Sequence, residues 1–414
     1  MRFEEKLTIY AELLMAHGLN VQPGQVVNLA GELIHRTLLE KMARVAYRRG
    51  AKFVNVDFVD QALTRLRIQE SRDAGSLKYV PRFIPVKYED FVEEGAAVLR
   101  LLGSEDPDCL ADLPAQKVND LQNTYRQSLK KYYVEGVGKS KVQWTVAAAA
   151  TPKWAKKVYP ELPEKEACEA LWEAIFKMCR ADTPNCLEIW EKHSARLAER
   201  AKKLTALRIK ELHFTGPGTD LKVYLAPCAL FKGGGDYTPK GVHFEANIPT
   251  EECFTTPDCR LTQGTVRVTR PVPVNGELVK DLELEFQKGE ITNFKASQGK
   301  ESLAAYLAND PGACRLGEVA LVGTDSPIYQ SKRIFEEILF DENAACHIAV
   351  GSAYRFCLDG GATMTPDELE AIGCNDSSVH TDFMISSEEI DVMAKDYSGQ
   401  EIMLIKKGRW VGVE

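Results

Sequence analysis

The runs Val26-Val27-Asn28-Leu29-Ala30 and Phe53-Val54-Asn55-Val56-Asp57-Phe58-Val59 stand on either side of a helical pattern from about His35 to Arg49. Short apolar strands alternating with helices predict a parallel, doubly wound sheet, because parallel neighbours need a crossover between them. The pattern extends both ways. Leu7, Tyr10, Leu13 and Leu14 recur at helical spacing and predict a helix over 3–17. Another helix begins near Gln61, and Ala97-Val98-Leu99-Arg100-Leu101-Leu102 reads as a third strand. Gln143-Trp144-Thr145-Val146-Ala147 reads as a further strand, with Pro152 opening the next helix. Two amphipathic helices follow. Cys168, Leu171, Trp172, Ile175, Met178 and Cys179 share a face of the first. Leu187, Trp190, Leu197, Ala201 and Leu204 share a face of the second, with His193 beside it.

The texture changes near Leu207. Gly216-Pro217-Gly218-Thr219-Asp220 is a turn between strand-like runs, and Asn275-Gly276 is a hairpin signal. Leu282-Glu283-Leu284-Glu285-Phe286 alternates with period two, and Lys288-Gly289 makes the next turn. The expectation is an α/β N-terminal domain with a mainly parallel sheet over 1–207. A β-rich α+β C-terminal domain over 208–414 follows it.

A chain of 414 residues suits two or three domains, and its 44% hydrophobic and 27% charged content excludes wholesale disorder. Its net charge of −8 argues against a nucleic-acid coat or a membrane-surface binder, so small molecules or peptides are the better ligands. The 11 Cys are odd in number and form no CxxC, which argues against a disulfide framework or a zinc ribbon and fits a reducing compartment. With no targeting segment and no apolar run of membrane-spanning length, a cytoplasmic location is expected.

Some motifs mislead. Gly136-Val137-Gly138-Lys139-Ser140 mimics the end of a phosphate-binding loop, but Tyr133 stands where the pattern needs Gly and no buried strand precedes it. A solvated basic turn is expected there. Gly233-Gly234-Gly235 lacks a GxGxxG frame and reads as a connector. None of the seven His is followed by Glu, so HExxH is absent, and GxSxG is absent too.

The chemistry concentrates between Glu245 and Asp382. In Asn247-Ile248-Pro249-Thr250-Glu251-Glu252-Cys253-Phe254-Thr255-Thr256-Pro257 two carboxylates lie between prolines that restrict the backbone. The segment is either a fixed loop presenting acids or a helix N-terminus capped by Thr250. Glu318 enters an apolar run, Leu316 to Gly323, where burial needs a cation or metal; the alternative is a strand-edge charge in water. In Asp341-Glu342-Asn343-Ala344-Ala345-Cys346-His347, acidic and amide residues precede a His that is either a ligand or a satisfied core residue. His380 and Asp382 are two residues apart in a strand-like run, so both point to one face and could coordinate one ion; an exposed alternating edge is the alternative. Jointly, Glu, His and Asp without a thiolate suit Zn²⁺, Co²⁺ or Mn²⁺ at a hydrolytic site. Their number suits two ions about 3.5–4 Å apart with a bridging carboxylate.

At these residues the chain resembles the M29 family of metallo-aminopeptidases, the aminopeptidase S and T group. The four blocks Asn247–Pro257, Glu318, Asp341–His347 with Tyr354, and His380-Thr381-Asp382 have its order and spacing. The N-terminal half agrees in layout only. The resemblance implies a dinuclear exopeptidase acting on peptide N-termini and a homodimer, with 208–414 as the metal-binding catalytic domain. It implies Glu252, Glu318, His347, His380 and Asp382 as ligands, with Glu318 the bridge and Glu342 an additional ligand. Tyr354 matches the active-site tyrosine, and Glu251 is the candidate general base. The ions implied are zinc or cobalt, with manganese or magnesium as alternatives. Cys253 departs from the aliphatic residue expected there, without disturbing a ligand. Two other readings share these residues: a dinuclear hydrolase of another amide or ester, and a metal-dependent binding protein without catalysis.

Overall fold

The computed structural model describes residues 1–413 and divides into two compact units. Unit one comprises Met1–Lys192 with Gly235–Pro249, and unit two comprises His193–Gly234 with Thr250 onward.

In the first unit the four expected runs pair as a parallel sheet. Val26–Glu32 lies between Phe53–Val59 and Ala97–Leu102, with Gln143–Ala148 outermost beside Ala97–Leu102. The helix Arg36–Arg48 is the crossover between the first two strands, and it presents Leu38, Leu39, Met42, Val45 and Ala46 as a buried stripe. The N-terminal helix covers Phe3–Leu13 and widens into a π turn over Leu14–Gly18, so the predicted span of 3–17 holds with a change of hydrogen-bonding pattern. The returning segment 235–249 lies along the open side of Gln143–Ala148. There Val146 N–H donates to Ala246 O at 2.7 Å, and Ile248 N–H donates to Val146 O at 3.0 Å. Gly136 and Val137 close a π-helical stretch, Gly136 being buried, and only Gly138–Ser140 is the expected turn, with exposed Lys139 paired to Glu135 at 2.7 Å.

The second unit is built on antiparallel sheets. Its larger one has eight strands, with Ile209–Gly216 between Thr219–Tyr224 and Asp391–Asp396. The turns at 216–220, Asn275-Gly276 and Lys288-Gly289 each join neighbouring antiparallel strands. The helix Cys186–Ala206 ends close to the expected division at 207/208, whereas the second unit starts at His193. The cause is packing: Leu197, Ala201 and Leu204 belong to the C-terminal apolar core. Among the described residues none of the eleven cysteines is joined in a disulfide.

A smaller four-stranded antiparallel sheet positions the site. Its order is His380–Met384, His347–Gly351, Leu316–Leu321, Cys253–Thr255. Strand residues alternate between faces. One face sends Val319, Leu321, Ile348, Val350 and Phe383 into the core. Burial of such side chains contributes about 1.5–3 kcal/mol each. That is the scale needed to offset the several kcal/mol that each buried charge costs on the opposite face.

Candidate metal centre

The register of the small sheet sets out the polar face. Ala349 on the central strand pairs with Glu318 on one side and with Asp382 on the other. Directly opposed residues project from the same face, so two carboxylates flank one methyl group. Gly351 pairs with His380, and His347 pairs with Ala320. Small residues thus leave room above the sheet for the acids and imidazoles. Gly351 has φ +100, and a Cβ there would lie 2.0 Å from Val379 O, so only glycine lets the two strands meet beside His380. Glu252 immediately precedes the strand Cys253–Thr255, whose Phe254 pairs with Ala320. Residues 250–252 are not a helix terminus, and both acids are buried, so the segment is the acid-presenting loop.

Glu318 faces both histidines. Its Oε1 lies 3.9 Å from His347 Nε2 and its Oε2 lies 3.3 Å from His380 Nε2. His347 Nε2 is also 3.2 Å from Glu252 Oε2, and Asp382 Oδ1 is 4.0 Å from His347 Nε2 and 3.7 Å from His380 Nε2. Two donor groups result, Glu252–Glu318–His347 and Glu318–His380–Asp382, each with ligand atoms within 4.8 Å of one another. Glu318 belongs to both.

The electrostatics are those of a cation site. His380 Nδ1 is 2.8 Å from Ser352 O, an acceptor, so Nδ1 carries hydrogen and Nε2 is turned to the carboxylates. A ring nitrogen and carboxylate oxygens facing one another need a proton or a metal between them. Burial would raise Glu318, but His347 and His380 outweigh it and hold its carboxyl at about 2. Burial pushes Glu252 and Asp382 up, in spite of His347 and His380 respectively. Burial, then the charges of Asp382 and Glu252, carries Glu342 well above the usual range. Burial would lower the imidazoles, yet the surrounding acids raise His347 strongly and His380 to about 9. Acids raised by burial beside imidazoles raised by acids are groups that hold protons where a cation could stand instead. Hard divalent ions bound by N and O donors fit that set.

The remaining predicted residues divide. Glu342 lies within electrostatic reach of Asp382, Glu252, His347 and Glu318 but belongs to neither donor group, and it receives a hydrogen bond from Asn343 Nδ2 at 3.3 Å. Tyr354 Oη lies 3.5 Å from His380 Nε2, and its ring packs 5.8 Å from Phe254 and 5.0 Å from Phe356. Burial, followed by the charge of Glu318, raises the Tyr354 phenol well above its ordinary value, so it stays protonated. Glu251 Oε2 lies 3.6 Å from His193 Nε2, and the Glu251 N–H donates to Asn343 Oδ1. Asp341, in the same block as His347, is a structural acid: it pairs with Arg270 at 3.1 Å, and burial pushes it to about 6. Sequence reasoning gave His193 and Asn343 no role; the one signal was a His beside an apolar helix face in a His-poor chain.

The profile of the family described as thermophilic metalloprotease (M29) matches residues 3–410. The chain belongs to this M29 family. An M29 metalloprotease works with a divalent metal, and the two donor groups supply a place for one. Aminopeptidase T of Thermus thermophilus is 40% identical over 99% of both chains. Aminopeptidase 2 of Geobacillus stearothermophilus is 37% identical over 99% of this M29 chain and 98% of its own. The solved structure of wild-type AmpT from Thermus thermophilus superposes with a TM-score of 0.92 at 39% identity, covering 99% of this chain and 100% of that one. The α/β-then-β architecture is therefore that of the family.

Proposed function

We infer that the protein is a metal-dependent aminopeptidase that hydrolyses the N-terminal bond of peptides. The observation that carries this reading is the pair of donor groups sharing Glu318, in a chain whose full-length relatives are named aminopeptidases. In this reading Glu252, Glu318 and His347 would hold one ion and Glu318, His380 and Asp382 the other, Glu318 being common to both and Glu342 an additional ligand. Zinc or cobalt suits the donors, and the chemistry belongs to the second unit, which holds most of 208–414. When bound, the ions supply Lewis acidity, lowering the pKa of water and polarising the scissile carbonyl.

The protein's own groups do the rest. Glu251, adjacent to a ligand, accepts the proton of the attacking water and returns it to the leaving amine. Tyr354, kept protonated, donates its O–H to the oxyanion of the tetrahedral intermediate. Phe254, Tyr354 and Phe356 form an aromatic wall for an apolar part of the substrate.

Treatment with a chelator is expected to abolish hydrolysis of Leu-p-nitroanilide, and zinc or cobalt to restore it. Glu252→Gln should lose activity while melting as a folded protein. Normal turnover by that variant with two bound ions defeats the ligand assignment. Anomalous maps of zinc- or cobalt-grown crystals should show two peaks within about 4 Å of each other near Glu318.

A homodimer is supported by the outer strand Phe53–Val59 of the parallel sheet, where Phe53, Phe58 and Val59 are exposed, as are Leu63 and Leu66 on the following helix. Sedimentation as a monomer at micromolar concentration would contradict it. Eleven cysteines without a disulfide among the described residues support a reducing, cytoplasmic setting, which cell fractionation tests.

A further inference from the structure

The Thr250–Glu251 peptide group is gripped at both of its polar ends by side chains. His193 Nε2 lies 2.8 Å from Thr250 O, and the Glu251 N–H donates to Asn343 Oδ1 at 2.8 Å. In a trans peptide the C=O and N–H point in opposite directions within the plane, so the two side chains hold opposite edges of one peptide. The tautomer of His193 follows from its other nitrogen. Arg196 Nη2 is 3.1 Å from Nδ1, and a guanidinium only donates. Nδ1 therefore accepts, and Nε2–H donates to Thr250. Asn343 is itself fixed: its Nδ2 donates to Leu339 O at 3.0 Å, and its own carbonyl accepts from Ser326 Oγ at 2.6 Å. Both residues are buried, His193 at 5% exposure and Asn343 at 0%. His193 comes from a helix and Asn343 from a short 3₁₀ turn, so two separate elements meet on one peptide.

A peptide plane held at both ends cannot rotate, and its rotation would re-aim the two acids that follow. We propose that His193 and Asn343 are positioning residues that lock the Thr250–Glu251 plane and so set the directions of Glu251 and Glu252. The inference rests on reading Glu251 as the base and Glu252 as a ligand. His193 Nε2 is 3.6 Å from the Glu251 carboxylate, beyond hydrogen-bond length, so its action on Glu251 runs through the backbone.

The test combines steady-state kinetics on Leu-p-nitroanilide with hydrogen–deuterium exchange of the metal-free protein. His193→Ala and Asn343→Ala should each lower kcat by about ten- to hundred-fold with KM nearly unchanged. His193→Gln, whose amide N–H can reach the same carbonyl, should recover most of the loss. The double alanine variant should lose less than the product of the two single losses, since both act on one peptide. Exchange should quicken in peptides covering 247–255 and stay unchanged in the helix Lys300–Leu307. An unchanged kcat in either alanine variant, a His193→Gln no better than His193→Ala, or exchange that rises evenly along the chain would overturn the proposal. If Glu251→Gln keeps full activity, the base assignment fails instead, and unquickened exchange at 247–255 would then sink the clamp by itself.

Discussion

At the scale of the residue, Tyr354 separates binding from chemistry. Its hydroxyl stands 3.5 Å from His380 Nε2, near the donor cluster yet outside both donor groups. Its ring is held by Phe254 and Phe356, and its backbone carbonyl accepts a hydrogen bond from Thr256 Oγ1 at 2.8 Å. Tyr354→Phe keeps this packing and removes only the donor. Loss of one oxyanion donor costs about 3 kcal/mol, so kcat should fall about hundred-fold. Metal content, measured by atomic absorption, should not change. An unaltered kcat removes Tyr354 from the mechanism. Single residues were also the most legible feature of the sequence. His347 and His380 stood out because each lay among acids and apolar neighbours in a chain with seven His. His193 did not, since its partner Thr250 is 57 residues away and the contact is made through a backbone carbonyl.

At the scale of the element, the strand His347–Gly351 decides where the acids meet. The sequence shows there only a His among small and apolar residues, whereas the shared face of His380 and Asp382 is readable from their spacing. The register is not, because it is fixed by long-range pairing that no local pattern encodes. That register puts Ala349, fully buried, between Glu318 and Asp382. Ala349→Leu would place three extra carbons where the two carboxylates converge. The strand should still form, since a larger apolar residue suits β structure. Titration calorimetry with zinc should show weakened binding, and hydrolysis should fall with it. If the variant binds zinc as tightly as the parent, the row Glu318–Ala349–Asp382 is not the floor of the site. The larger sheet illustrates the same limit. Its turns at Asn275-Gly276 and Lys288-Gly289 were local signals, but the pairing of Ile209–Gly216 with Asp391–Asp396 joins the two ends of the unit and left no local trace.

At the scale of the molecule, the acid cluster couples metal, pH and stability. In the chelated protein His380 is raised to about 9, with the attraction of Asp382 and Glu318 outweighing burial, and His347 is raised as well. An unfolded His titrates near 6.5. The stabilisation these imidazoliums give is therefore complete below about 6.5 and is lost as pH climbs through about 9. Burial also makes the folded protein hold protons on Glu252, Asp382 and Glu342 more firmly than the unfolded chain does, so ionising them at higher pH costs stability in the same direction. Glu318, held at about 2, acts oppositely but only in acid, where its contribution is lost as pH falls through that value. Between pH 6.5 and 9 the folded state binds more protons than the unfolded one, so the Tm of the chelated protein should decline across this window. Divalent ions bind the deprotonated ligands and displace those protons. Zinc should therefore raise Tm more at pH 9 than at pH 6.5, with proton release visible as a dependence of the binding enthalpy on buffer ionisation. Scanning calorimetry at both pH values, with and without zinc, checks the sign. A chelated protein that grows more stable from pH 6.5 to 9 would mean that the six clustered side chains do not share the charge balance described by their geometry.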